Sequence, residues 1–131
     1  MRFAFPRFPA EFEIPDAWWA AAGMSGFTCE GSAYRSSTGE VFALDDIEPP
    51  FRLTTRPLDW HGFDRARFVS ILRGFVANAE LPPIDLLILP ALADISGQPF
   101  RYRVLSGFHR FYASIAAGFE FVPATTRGVS T

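Results

Sequence analysis

The chain has 131 residues, 49% of them hydrophobic and 16% aromatic, with a formal net charge of −2 at pH 7. That length suits one domain with an ample core and leaves little room for two. The acidic balance excludes a coat for nucleic acid, whose non-specific affinity comes from neutralising many phosphates. A single cysteine, Cys29, excludes an intramolecular disulfide and a multi-cysteine zinc site.

Cys29 reads as a small buried hydrophobe, and this cysteine usage fits a reducing cytoplasm. The start of the chain lacks the apolar run of a signal peptide, and no stretch of about 18 apolar residues exists for a membrane span. The expectation is a cytoplasmic domain with no membrane contact.

Residues 1–15 interleave Phe3, Phe5, Phe8 and Phe12 with Pro6, Pro9 and Pro15, which favours an extended arm over a helix. So apolar an arm is expected to lie on the body of its own chain, or on a partner protomer. Residues 16–23 predict a short helix, with Asp16 as N-cap, Gly23 as its stop and Trp18 and Trp19 inside. Residues 24–40, rich in Gly, Ser and Thr, read as a loop or loose hairpin.

Residues 41–44 read as a short buried strand halted by Asp45 and Asp46, with a turn through Pro49, Pro50, Arg56 and Pro57 after it. Between Asp64 and Asn78, Phe68, Ile71, Leu72, Phe75 and Val76 recur at helical spacing and define one buried face. Leu81, Pro82 and Pro83 close that helix, and residues 84–89 form a strand buried on at least one face. A turn at residues 96–99 comes next, and Phe100, Tyr102 and Val104 alternate with Arg101 and Arg103 as a strand that pairs with the preceding one. The period changes at Gly107, where a second helix begins, carrying Phe111, Ile115 and alanines to the stop at Gly118. Residues 121–124 form a last short strand, and residues 125–131 read as a frayed tail.

The chemistry concentrates at Ser106, Gly107, Phe108, His109 and Arg110. A strand that turns at a glycine straight into a helix aims backbone N–H groups at one point, and that point attracts anions. Gly107 leaves room for a phosphate, while His109 and Arg110 bring donors, the guanidinium as a planar fork. The alternative reading of the same residues is structural: His109 caps a helix and Arg110 pairs with a surface carboxylate. Asp45, Asp46 and Glu48 form a solvated acidic turn or, on the other reading, supply a carboxylate base. His61 and His109 have no metal-binding spacing, so no metal site is expected of them.

Taken together, Leu81-Pro82-Pro83-Ile84, the run from Tyr102 to Arg110, Ala113, Ala117-Gly118 and Val122-Pro123 resemble the ParB/sulfiredoxin-like superfamily. Leu44, Ile47, Pro50 and Arg52 resemble its earlier strand and proline-arginine segment. The resemblance spans roughly residues 41–124, with residues 1–40 an arm and short helix packed on that body and residues 125–131 a tail.

It implies a compact α/β (α+β) domain, a small mixed sheet flanked by helices. It further implies phosphate binding by Gly107, His109 and Arg110, with Arg52 on the other segment closing the same pocket; Ser106 would add a hydroxyl, and Phe108 or Trp60 would flank a nucleotide base. The ligand would be CTP, ATP, ADP or another phosphorylated molecule, with Mg2+ for any phosphoryl chemistry, and His109, Glu48 and Asp46 are the catalytic candidates. Two departures limit what carries over. Sulfiredoxins keep their reactive cysteine between the glycine and the histidine, where this chain has Phe108, so sulfinic acid repair is not expected. Chromosome-partitioning ParB proteins continue into a DNA-reading region for which this chain has no room, so specific DNA binding is not expected. A non-catalytic module that uses the aromatic arm to bind a partner protein or a second copy, and a ParB-like nuclease, remain as alternatives.

Overall fold

The computed structural model describes residues 1–6, 11–29, 31–37, 39–48, 63–89 and 100–128. The expected α+β class holds: three α-helices, a five-stranded mixed sheet and a two-stranded ribbon are found among them. The turns expected at residues 49–57 and 96–99, together with Arg52, Asp59, Trp60 and His61, lie outside the described residues.

Within the arm, residues 2–4 and 11–13 are extended. Strand β1 (Arg2–Ala4) pairs antiparallel with β2 (Glu11–Glu13), setting Phe3 opposite Phe12 with ring centroids 5.4 Å apart. Phe12 then reaches Tyr112 at 4.9 Å and Phe63 at 6.3 Å, so the ribbon lies on the body of its own chain through aromatic edges. Helix α1 (Asp16–Ala21) comes next, with Trp18 buried against Phe68 and Trp19 against Phe3. Asp16 does not cap it. Pro15 occupies the N-cap, and the Asp16 carboxylate instead takes the Met1 ammonium at 2.8 Å.

The main sheet runs β3 (Glu40–Ala43), β7 (Phe121–Arg127), β5 (Ile84–Ile88), β6 (Tyr102–Ser106) and β4 (Ile47–Glu48) in that spatial order. The β3/β7 and β5/β6 pairs are antiparallel, and the β7/β5 and β6/β4 pairs parallel. One connection dictates its shape. The two edge strands, β3 and β4, are joined only by the 3-10 turn Leu44–Asp46. Four strand spacings would part the edges of a flat sheet by about 19 Å, whereas four residue steps cover at most ~14 Å even when extended. The sheet therefore curls. Its curl brings Phe42 of β3 to within 5.0 Å of Tyr102 on β6, three places away in strand order. Leu44 N–H donates to Glu120 O and Arg101 N–H to Asp46 O, continuing the ladder at both margins of the turn.

Helix α2 (Arg65–Val76) starts at Asp64, whose carboxylate accepts the Arg67 N–H at 3.0 Å. It buries Phe68, Val69, Leu72 and Phe75. Helix α3 (Phe108–Ala117) joins β6 to β7 and is buried on most of its circumference, including Phe111, Ala113 and Ser114 at 0% exposure. The Ser114 hydroxyl is satisfied within the helix by Arg110 O. Ile84, Leu86, Val104 and Val122 complete the core.

Four local expectations change. Residues 40–43 make an edge strand with Val41 58% exposed, because the chain enters the sheet at its margin. Val76 is 46% exposed, since it closes α2 beyond Ala21, where the contact with α1 ends; Arg73 one turn earlier donates to Ala21 O. Thr125, Thr126 and Arg127 continue β7 beside Asp85, Leu86 and Leu87, so these three residues are strand and not frayed tail. Cys29 is half-buried, with its thiol 3.4 Å from Gly118 O.

Phe68→Ala is expected to cost about 3–5 kcal/mol and Val76→Ala less than about 0.5 kcal/mol in equilibrium urea unfolding. Equal costs would mean that α2 presents a different face to the core.

Candidate functional site

Asp85 of β5 pairs with Ser106 while its neighbour Leu86 pairs with Val104, so β6 carries one extra residue, Leu105. Such a bulge bends the strand and re-aims the side chains beyond it. Here it places the Ser106 side chain on the same face as Asp85, and the hydroxyl donates to Asp85 Oδ2 at 2.8 Å. Thr125, directly across from Asp85 on β7, donates its hydroxyl to the other carboxylate oxygen at 2.5 Å. The Thr125 and Ser106 hydroxyls hold the Asp85 carboxyl below the usual carboxylate range, with smaller help from the charges of Arg127 and Arg110.

Gly107 then turns the chain. Its φ of +91° is in the left-handed region, and a Cβ there would sit 2.6 Å from Ile84 Cγ2 and 3.2 Å from Arg110 Nη2. In the sequence, the missing side chain suggests room for a phosphate. In the fold its effect is closer to hand: the glycine lets the start of α3 rest directly on the first residue of β5. The α3 ladder begins with Phe111 N–H donating to Gly107 O, and the N–H groups of residues 108–110 precede it at the positive end of the helix.

The side chains on this first turn diverge. Phe108 is half-buried against the core. His109 Nε2 accepts the backbone N–H of Asp64 at 2.8 Å, and its ring lies edge-on to Phe63 and Phe68 at 5.8 and 6.3 Å. It thus ties α3 to the start of α2, a structural role of the capping kind that its sequence position allows. Among the described residues Arg110 forms no ion pair with a carboxylate, although its charge helps hold the Asp85 carboxyl low. Its Nη2 donates to Pro83 O at 3.4 Å, and among the described residues its buried Nε has no hydrogen-bond partner. Beside it, the Tyr34 hydroxyl donates to Pro82 O at 2.6 Å; burial pushes this phenol up to about 12, against the opposing pull of Arg110.

Ser106 to Arg110 thus share one stretch of backbone while their side chains go to separate partners, Ser106 to Asp85, His109 to Asp64 and Arg110 to Pro83 O. Glu48 is elsewhere: it meets Arg103 at 3.0 Å across the β4/β6 pair, an ion pair with both partners partly exposed. Asp46 contributes its carbonyl to Arg101 N–H at that same edge. Arg52 lies outside the described residues. Among these residues no group of three or more His, Cys, Asp or Glu is placed to hold a metal ion. Asp85, Thr125 and Tyr34 were missed from sequence. Asp85 had one available signal, a lone carboxylate inside the apolar run 84–89.

Gly107→Ala is expected to destabilise the fold by about 2 kcal/mol or more, combining left-handed strain with overlap on Ile84. Adding Ile84→Ala should relieve the overlap alone, so the double variant should lose less than the two single variants summed; strict additivity would contradict the contact. Asp85 gives a pH test. Because its folded value is lowered, its contribution is fully present above the unfolded carboxylate range near pH ~4 and is lost as pH falls through the folded value. Asp85→Asn should therefore flatten the acid limb of stability against pH, and an unchanged limb would contradict the assignment.

Compared with known proteins, the chain matches no protein-family model, no curated protein and no solved structure.

Proposed function

We propose that this chain is a nucleotide- or phosphorylated-ligand-binding domain of the ParB/sulfiredoxin-like kind, with the phosphate seated at the β6/α3 junction. The observation that carries the reading is Arg110. Among the described residues its Nε is buried without an acceptor, which is costly, and it stands on the first turn of a ten-residue helix. Positive charge and outward backbone N–H groups converge there, the arrangement that binds phosphate oxygens at helix N-termini.

In this reading Arg110 and the N–H groups of residues 108–110 hold the phosphate, Gly107 sets the backbone, and Ser106 and Asp85 border the mouth. Asp85 stands closer to this junction than the sequence candidates Asp46 and Glu48, and is the better-placed carboxylate for any phosphoryl chemistry with CTP, ATP or ADP and Mg2+. Phe108 argues against thiol chemistry on this turn. No helix among the described residues is long and apolar enough to cross a membrane. The use of a single cysteine supports a cytoplasmic setting. The arm is the weaker candidate for a partner or a second copy, because Phe5 and Phe12 already reach Tyr112 of the same chain.

A thermal-shift comparison of CTP, ATP, ADP and inorganic phosphate, each with and without Mg2+, tests the reading. A ligand at a hundredfold excess over its dissociation constant stabilises the fold by about 2.7 kcal/mol, a rise of several degrees. That rise should vanish in Arg110→Ala, measured against the variant's own baseline, and partly return in Arg110→Lys. No rise with any of these ligands would refute the proposal, and a rise unchanged in Arg110→Ala would move the site elsewhere.

A further inference from the structure

We infer that His109 is a proton-operated latch between α3 and the start of α2. The hydrogen bond from Asp64 N–H to His109 Nε2 is 2.8 Å long. A ring nitrogen can accept only when it carries no proton, so the latched imidazole is neutral. Asp64 is the residue that launches α2: its carboxylate takes Arg67 N–H and its carbonyl takes Phe68 N–H. His109 therefore supplies the remaining backbone partner of the residue on which the first turn of α2 is built.

Protonation would place an N–H on Nε2 facing the Asp64 N–H, turning an attraction into a clash of donors. Several groups stand around the ring. Phe63 and Phe68 present apolar edges to it, and His109 is the second residue of α3, where the helix dipole disfavours a cation. From α2, the charged groups of the first turn include the Asp64 carboxylate, directed to the Arg67 N–H, and the Arg65 guanidinium. On α3 itself, the Arg110 guanidinium is directed away to Pro83 O, and Tyr112 sets its ring against Phe63. In the ribbon, Glu11 and Glu13 alternate with Phe12, the residue whose ring meets Phe63, and so point away from that contact. Histidine is the side chain whose ordinary titration falls near pH ~6.5. Since the unfolded chain accepts the proton without losing this bond, the latch contributes stability at high pH that is lost as pH falls.

The test uses the chain carrying His61→Gln, so that His109 is the sole titrating imidazole, and reads nitrogen NMR shifts of the ring and amide hydrogen-exchange protection from pH 8 to 5. The expected result is an unprotonated Nε2 at pH 8. Protection at Asp64 and Arg67 should then fall by at least about tenfold as the ring titrates, while the central-strand amide of Leu86 stays protected. In His109→Gln, whose side-chain oxygen accepts at every pH, protection at Asp64 should stay flat. A proton on Nε2 at pH 8, a ring that never titrates in this range, a titration that leaves Asp64 protection unchanged, or the same fall in His109→Gln would each overturn the latch. The ring shifts and Asp64 protection of the His61→Gln chain decide the matter even where His109→Gln does not fold.

Discussion

The close approach of Gly107 to Ile84 sets the geometry of the whole β6/α3 region. Because no Cβ intervenes, the last residue before α3 rests against the first residue of β5, and the helix leaves β6 at the angle that carries it across the core. That angle seats Phe111 and Ala113 in the interior, lets His109 reach Asp64, and brings Arg110 up to Pro83 O. Move the helix start by the width of a methyl group and all of these shift together.

The bulge at Leu105 works with that contact. It uses one residue to bring Ser106 onto the face of Asp85, so that three adjacent strands share a carboxylate held by two hydroxyls. The curl imposed by the short turn Leu44–Asp46 closes the other side of the sheet. The turn meets β6 at its start, with Ile47 beside Tyr102, whereas the junction lies at the other end of that strand, where Ser106 stands beside Asp85. The junction's residues serve the fold and the proposed chemistry at once: His109 fastens α2, Ser106 fastens β5 to β6, and Arg110 keeps one buried nitrogen without a partner among the described residues.

Much of this was legible in the sequence because it is periodic. The 3.6-residue repeat of Phe68, Leu72 and Phe75, the two-residue repeat of Tyr102 and Val104, and the glycines bounding α3 each identify their element. What periodicity does not carry is position within the sheet. Val41 looks like any apolar strand residue, and only the strand order makes it an edge. Val76 keeps its helical phase but runs past the end of its neighbour. The continuation of β7 through Arg127 depends on its partner β5, not on its own residues. Of the site, the glycine, the histidine and the arginine stand out as a motif, whereas Asp85 becomes visible only once the bulge sets Ser106 beside it and Thr125 across from it. The role of His109 likewise depends on Asp64, 45 positions away in the chain.

If phosphate oxygens meet the backbone at the start of α3, next to Arg110, inorganic phosphate alone should reveal it. The decisive measurement is a titration of the nitrogen-labelled chain with inorganic phosphate, observing every backbone amide. The largest shifts should gather at Phe108, His109 and Arg110, with the Arg110 Nε–H resonance moving alongside them. Shifts that gather on another face of the protein, or none at millimolar phosphate, would contradict a phosphate site at this junction.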